Sequence, residues 1–113
     1  MTRVLFLIMS GEESAAKVNG GISMALRSLE AKRYEDLKIL LFGPSELYIT
    51  KISGEVLENF KKLISLGAID SACVHIAEKG SVKSEISELG INLLPAGERL
   101  AYFINNGYEV ITF

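Results

Sequence analysis

Five short apolar segments recur along the chain, and longer segments of mixed polarity separate them. The apolar segments cover residues 3–9, 37–42, 69–74, 91–94 and 108–113. Each has the length and composition of a strand, whereas the separating segments carry apolar residues at helical spacing. Strands that alternate with helices lie parallel in one sheet. The order β-α-β-α-β-α-β-α-β therefore predicts an α/β fold with a parallel sheet between helical layers.

The first apolar segment reads Arg-Val-Leu-Phe-Leu-Ile-Met over residues 3–9. It lacks the alternation of polar and apolar residues that marks a strand with one solvent-exposed face. We therefore expect a central strand that is covered on both faces. Ser10 follows, with Glu13 three residues later. This is the spacing of a capping box and predicts that a helix starts at Ser10.

The first helix carries an anomaly, because Gly20 and Gly21 fall in the middle of its apolar pattern. Each interior glycine costs about 1 kcal/mol relative to alanine. Either the helix packs very closely against a neighbour at this point, or it begins after Asn19. In the second case residues 11–20 form a mobile loop over the site.

The remaining helices are predicted by apolar residues at helical spacing and by glycines at their ends. One begins near Gly54 and stops at Gly67, a short one covers residues 82–89, and a final one covers residues 98–105. Residues 46–52 are ambiguous. A helical turn there would place apolar side chains against a neighbouring element or subunit.

Size and composition narrow the functional classes. A chain of 113 residues predicts one domain over residues 1–113. With 12 Lys and Arg against 14 Asp and Glu and no basic cluster, nucleic acid is an unsuitable partner. The 49% apolar content and mean hydropathy of +0.29 favour a homo-oligomer. The apolar runs are too short to span a bilayer, so we expect no membrane association and a cytosolic location.

Several kinds of site lack their motifs. There is no Gly-x-Gly-x-x-Gly after the first strand and no Walker-type Gly-Lys-Ser, so a dinucleotide or triphosphate site has no phosphate cradle. One cysteine and one histidine are too few for the usual metal sites. We therefore predict no cofactor and no metal.

Cysteine chemistry remains, centred on residues 68–80. Cys73 is the single cysteine and is placed near the carboxyl end of the third strand, where ligands and catalytic groups gather in parallel sheets. There it is a candidate nucleophile, since backbone amides and nearby cations stabilise a thiolate. His75 would share its face in an extended backbone, and Lys79 lies in the following turn. The plainer alternatives are a buried structural cysteine, a surface imidazole and a solvated lysine.

The chain resembles the DsrE-like proteins, the group that includes DsrE, DsrF and the TusD-type sulfur relay subunits. The resemblance covers nearly the whole length. The most informative point is Cys73 with Gly80 seven residues later, similar to the position of the sulfur-carrying cysteine in active members. Further similar stretches are Val4-Leu-Phe-Leu-Ile, Leu89-Gly90-Ile91, Leu94-Pro95-Ala96-Gly97 and Gly107-Tyr108-Glu109-Val110. Family carriers often have an arginine pair before the glycine, where this chain has Glu78 and Lys79.

The resemblance implies a three-layer α/β/α sandwich with a five-stranded parallel sheet, assembled as a homotrimer or hexamer. It also implies a sulfur carrier or sulfurtransferase-like subunit in which Cys73 holds sulfane sulfur as a persulfide. His75 and Lys79 would tune the thiol, and sulfur donor and acceptor proteins would be partners. Two alternatives stay open, namely a module that binds a small anionic ligand at the strand ends and a structural oligomer subunit without a site.

Overall fold

The computed structural model describes all 113 residues. The strands are β1 Arg3–Ile8, β2 Asp36–Leu41, β3 Ile69–Cys73, β4 Leu93–Leu94 and β5 Tyr108–Thr112. The helices are α1 Ala15–Glu30, α2 Pro44–Tyr48, α3 Gly54–Ser65, α4 Val74–Lys79, α5 Lys83–Glu88 and α6 Ala96–Asn105, with a 3-10 turn at Glu12–Ser14 before α1.

The five strands form one sheet in the order β4-β3-β2-β1-β5, and every pair is parallel. β1 is an interior strand, in which Arg3 pairs with Asp36 of β2 and with Tyr108 of the edge strand β5, whereas the middle strand of the five is β2. The predicted parallel sheet is confirmed. The interior position of β1 explains its apolar sequence after Arg3, since both of its faces lie under other elements.

Helices cover the two faces of the sheet unequally. The larger core joins β1, β2 and β3 to α1, α3, α4 and α5 through buried side chains that include Phe6, Ile39, Phe60 and Ile86. The opposite face carries α6, whose Phe103 packs on Leu5 and Leu40. The result is the predicted three-layer α/β/α sandwich, with one layer made of a single helix.

Both glycines of the first helix lie inside α1, so the first of the two alternatives is correct. A Cβ built on Gly21 would lie 2.9 Å from Cγ of Phe113, whereas one built on Gly20 would meet nothing within 4 Å. The Phe113 ring also stacks against Phe6, with a centroid separation of 4.8 Å. Gly21 therefore allows the end of the chain to pack between α1 and β1.

The predicted helix start at Ser10 is wrong. The Glu13 carboxylate accepts a hydrogen bond from the amide of Gly11 at 2.8 Å, and α1 begins only at Ala15, after the 3-10 turn. Gly11 is held against the carbonyl of Pro44, in a position that a Cβ would fill. This tertiary contact displaces the start of the helix.

The ambiguous segment at residues 46–52 contains the end of a short helix, α2, which begins at Pro44. A further helix, α4, follows β3 directly, and β4 is reduced to two residues. None of the helices has both the length and the apolar character needed to cross a bilayer.

Substitution of the two α1 glycines by alanine should have opposite effects. Gly20→Ala should raise the free energy of unfolding by about 1 kcal/mol, because alanine favours the helix and the added methyl group meets no atom. Gly21→Ala should lower it by about 1–3 kcal/mol, because the methyl group displaces the Phe113 ring. Urea unfolding of both variants measures the difference, and equal effects would contradict the close-packing explanation.

Candidate functional site

Cys73 lies where β3 ends and α4 begins. It is the last residue of β3 and the residue that precedes the first turn of α4, and its side chain is buried, with the residue 4% exposed. The extended residues before it and the helical residues after it place the thiol at the carboxyl end of the sheet. The sequence prediction for its position is confirmed.

Beside Cys73, the chain leaves the neighbouring strands β3 and β4 toward opposite faces of the sheet. After β3 it enters α4 and α5, whose Ala77 and Ile86 join the larger core, and after β4 it enters α6 on the other face. Cys73 of β3 pairs with Leu94 of β4 at the divergence. In open α/β sheets the crevice beside such a divergence is the usual place for a ligand site.

Glu46 is the functional candidate that the sequence prediction missed. It lies in α2 and is fully buried. Its Oε2 accepts a hydrogen bond from the Gly43 amide at 3.3 Å, and its Oε1 has no hydrogen-bond partner. Burial raises the pKa of the carboxyl to about 7, although the backbone amides of Gly43 and Cys73 oppose this shift. The carboxyl thus lies beside the main chain of Cys73.

Nothing in the local sequence distinguishes Glu46 from a surface acid. A glutamate in the first turn of a helix, two residues after a proline, normally caps the helix in solvent. Here α2 is held down instead. The Ser45 hydroxyl donates to the carbonyl of Ile8 at 2.7 Å, and the Ser45 amide donates to the carbonyl of Met9 at 3.0 Å. These bonds fix α2 over the end of β1 and bury the next side chain.

A cavity of about 500 Å³ lies on the outer side of α2. Its walls come from the 3-10 turn, from α2 and the residues beside it, and from α4: Glu12, Glu13, Gly43, Pro44, Leu47, Tyr48, Lys51, Ile76, Lys79 and Gly80. Lys51 lies 3.8 Å from Glu12, whereas Lys79 forms no ion pair. The cavity wall thus combines apolar side chains with two acidic and two basic residues, of which Lys79 has no ion-pair partner.

The three predicted site residues do not line one cavity. His75 is exposed in the first turn of α4, and because this segment is helical it does not continue the face of the strand that holds Cys73. Lys79, in the last turn of α4, lines the 500 Å³ cavity, of which neither Cys73 nor His75 forms a wall. The side chain that reaches the Cys73 backbone amide from α2 is that of Glu46.

An ion pair fixes the position of α6 against the same strand. The Arg99 guanidinium donates two hydrogen bonds to Asp70, with Nη2 to Oδ1 at 2.8 Å and Nε to Oδ2 at 3.0 Å. These hydrogen bonds raise the pKa of Arg99. Asp70 also accepts from the Ser71 hydroxyl at 2.9 Å. The pair therefore ties α6 to β3 near the start of the strand.

Comparison with known proteins identifies the fold. No family model matches the chain, and no curated protein does. Among solved structures, BT1422 from Bacteroides thetaiotaomicron, a conserved protein of unknown function, aligns with a TM-score of 0.79 at 23% identity, over 96% of this chain and 93% of its own.

Two further structures cover the whole of both chains. YchN from E. coli aligns with a TM-score of 0.77 at 13% identity, and MTH1491 from Methanobacterium thermoautotrophicum, also a protein of unknown function, with 0.70 at 18%. The likeness to YchN fits the DsrE-like fold. At these levels of sequence identity the structural likeness establishes the fold and does not establish an activity.

Removal of the Asp70 carboxylate should destabilise the protein. Asp70→Ala should lower the free energy of unfolding by about 1–3 kcal/mol, since it leaves the part-buried guanidinium of Arg99 without its acceptor. Glu35→Ala provides the matched control, because Glu35 meets Arg3 at 3.7 Å in an exposed pair and should change stability by less than about 1 kcal/mol. Denaturant unfolding of both variants tests this, and similar losses would argue against a special role for the Asp70–Arg99 pair.

Glu46 should make stability depend on pH. A carboxyl with a raised pKa binds its proton more tightly in the folded state, so its contribution to stability falls as the pH rises from about 4.5 to about 7. The loss amounts to about 3 kcal/mol, at 1.36 kcal/mol per pKa unit. Glu46→Gln cannot ionise and should gain stability relative to the wild type over this range. Urea unfolding at several pH values measures this, with Glu12→Gln as the exposed control. A difference in the free energy of unfolding between Glu46→Gln and the wild type that stays constant with pH would contradict the prediction.

Proposed function

We propose that this protein carries sulfane sulfur as a persulfide on Cys73. The observation that carries the proposal is the position of this cysteine at the carboxyl end of β3, where the chain diverges toward the two faces of the sheet. A buried, unpartnered carboxylate oxygen from Glu46 in the same region adds a second unusual group. Such combinations are more typical of sites than of packing.

The chemistry is a thiol–persulfide exchange without net oxidation. The Cys73 thiolate attacks the outer sulfur of a donor persulfide, a new S–S bond forms, and the S–S bond of the donor breaks. The donor leaves as a thiolate and takes up the proton that Cys73 released. A persulfide survives best without a neighbouring thiol, which would attack it and release the sulfur. A chain with one cysteine meets this requirement.

His75 and Lys79 act in this proposal as tuning groups. Both are exposed cations or potential cations on α4, the helix that Cys73 precedes. Lys79 has no ion-pair partner and faces the 500 Å³ cavity, so it is available to an anionic donor. Because Cys73 itself is buried, delivery of sulfur requires local opening at the β3–α4 junction or the docking of a donor protein.

In this proposal the protein acts in the cytosol as a homo-oligomer, either a trimer or a hexamer, and sulfur donor and acceptor proteins are its further partners. Large apolar side chains stay exposed in the single chain on α6 and β5, among them Tyr102, Ile104 and Val110. Subunit contacts would remove this surface from water.

A second candidate function is the binding of a small anionic ligand in the 500 Å³ cavity, without cysteine chemistry. The observation that favours it is the free cation Lys79 beside apolar walls from Leu47 and Ile76. In this case Cys73→Ala would bind the ligand normally and Lys79→Ala would not.

Intact-mass analysis after mild exposure to polysulfide tests the main proposal. The wild type should gain one or more sulfur atoms, reversed by a reducing thiol, whereas Cys73→Ser should gain none. A wild type that takes up no sulfur under native conditions, and whose thiol resists alkylation as well, would exclude the carrier function and favour the binding alternative. His75→Ala and Lys79→Ala should slow loading and leave its extent unchanged.

A further inference from the structure

The short helix α2 is a close-fitting cover at the carboxyl end of the sheet. Its first turn is held to β1 by the Ser45 hydroxyl and amide. On one side Gly11 accommodates the carbonyl of Pro44, and on the other a Cβ on Gly80 would lie 2.9 Å from Cδ1 of Leu47. Since neither glycine presents a side chain, α2 lies directly on the 3-10 turn and on α4.

The inner side of this cover presents one ionisable group, the Glu46 carboxyl, beside the Ser45 hydroxyl that is bonded to Ile8. It reaches the main chain at Cys73, and the Gly43 amide is its one well-formed hydrogen-bond donor. The second oxygen is buried without a partner. A neutral carboxyl costs less in this position than an ionised one, whose charge the backbone amides of Gly43 and Cys73 compensate only in part.

We propose that α2 is a proton-linked lid at Cys73, closed while the Glu46 carboxyl is protonated and loosened when it ionises. The carboxyl gains water when Gly43–Tyr48 lifts, and the β3–α4 junction loses its cover in the same movement. The inference takes Cys73 as the reactive group of the proposed function and supplies its regulation.

The other ionisable groups around the lid do not duplicate this role. Glu12 and Glu13 on the 3-10 turn and Glu78, Lys79 and His75 on α4 are exposed, as is Lys51 after α2. Tyr48 of α2 itself is tied by its hydroxyl to Asn19 at 2.7 Å. Charges on exposed side chains are screened by water and salt. Glu46 is the one carboxyl enclosed beneath α2. Its ionisation therefore destabilises the closed position of α2 and leaves the open position, where the carboxyl meets water, unaffected.

The test follows the rate at which an uncharged aromatic disulfide reagent modifies Cys73, from about pH 5.5 to about pH 8.5, in the wild type and in Glu46→Gln. The ratio of the two rates removes the pH dependence that the two proteins share. The negative charge of an ionised Glu46 disfavours a nearby thiolate, so its direct effect lowers the ratio and acts against the expected rise. It should be near one at low pH and rise to about tenfold or more in favour of the wild type at high pH, with a midpoint near the pKa of Glu46. Glu12→Gln, an exposed acid on the cavity wall, should follow the wild type throughout. A ratio that does not change with pH would overturn the proposal.

A second measurement needs no variant. Native-state hydrogen exchange of the wild type should show that the opening free energy of the α2 amides, including Ile49 bonded to Ser45, falls above about pH 7 while that of α3 stays constant. Parallel changes in α2 and α3 would also overturn the lid. Both readouts are independent of sulfur loading. If α2 opens with pH as expected but Cys73 accepts no sulfur, the carrier function is refuted and the lid is not.

Discussion

The structure depends on the burial of β1 between two helical layers. Strands β2 and β5 pair with its two edges, β3 and β4 follow outward from β2, and the larger and smaller cores lie on the two faces of β1. The hydrophobic effect favours this arrangement at about 25 cal/mol per Å² of apolar surface removed from water. Because β1 is apolar from Val4 to Ile8, exposure of either of its faces to solvent would cost free energy.

The carboxyl end of this sheet then becomes the place where polar groups gather. Parallel strands direct their carbonyl ends and following loops to the same edge, so the segments after β1, β2 and β3 meet there. The 3-10 turn, α2 and α4 are these three segments. Their contacts at Gly11, Pro44 and Gly80 are tight enough to exclude water from Glu46. The unusual carboxyl is thus a consequence of the same parallel pairing that builds the fold.

The sequence predicted the strands better than the details of their connections. Strands in parallel sheets are marked by continuous apolar runs; four of the five lie within the expected segments, and β2 begins one residue before its segment, at Asp36. The errors lie at helix starts. Ser10 does not cap α1, because Gly11 packs against Pro44, and the third strand ends at Cys73 instead of Val74, so that His75 is helical and not extended. Such contacts join residues distant in the chain, which local spacing does not encode.

The sequence by itself determined the α/β class, the parallel sheet, and the placement of Cys73 at the end of β3, since each follows from local apolar pattern and from the rules of strand connection. Only the tertiary structure decided that Gly21 accommodates Phe113, that His75 and Lys79 do not share a cavity with Cys73, and that Glu46 is buried beside it. Burial of a charged residue depends on the elements that close over it. In this chain those elements come from three different loops, and the sequence around Glu46 carries no trace of them.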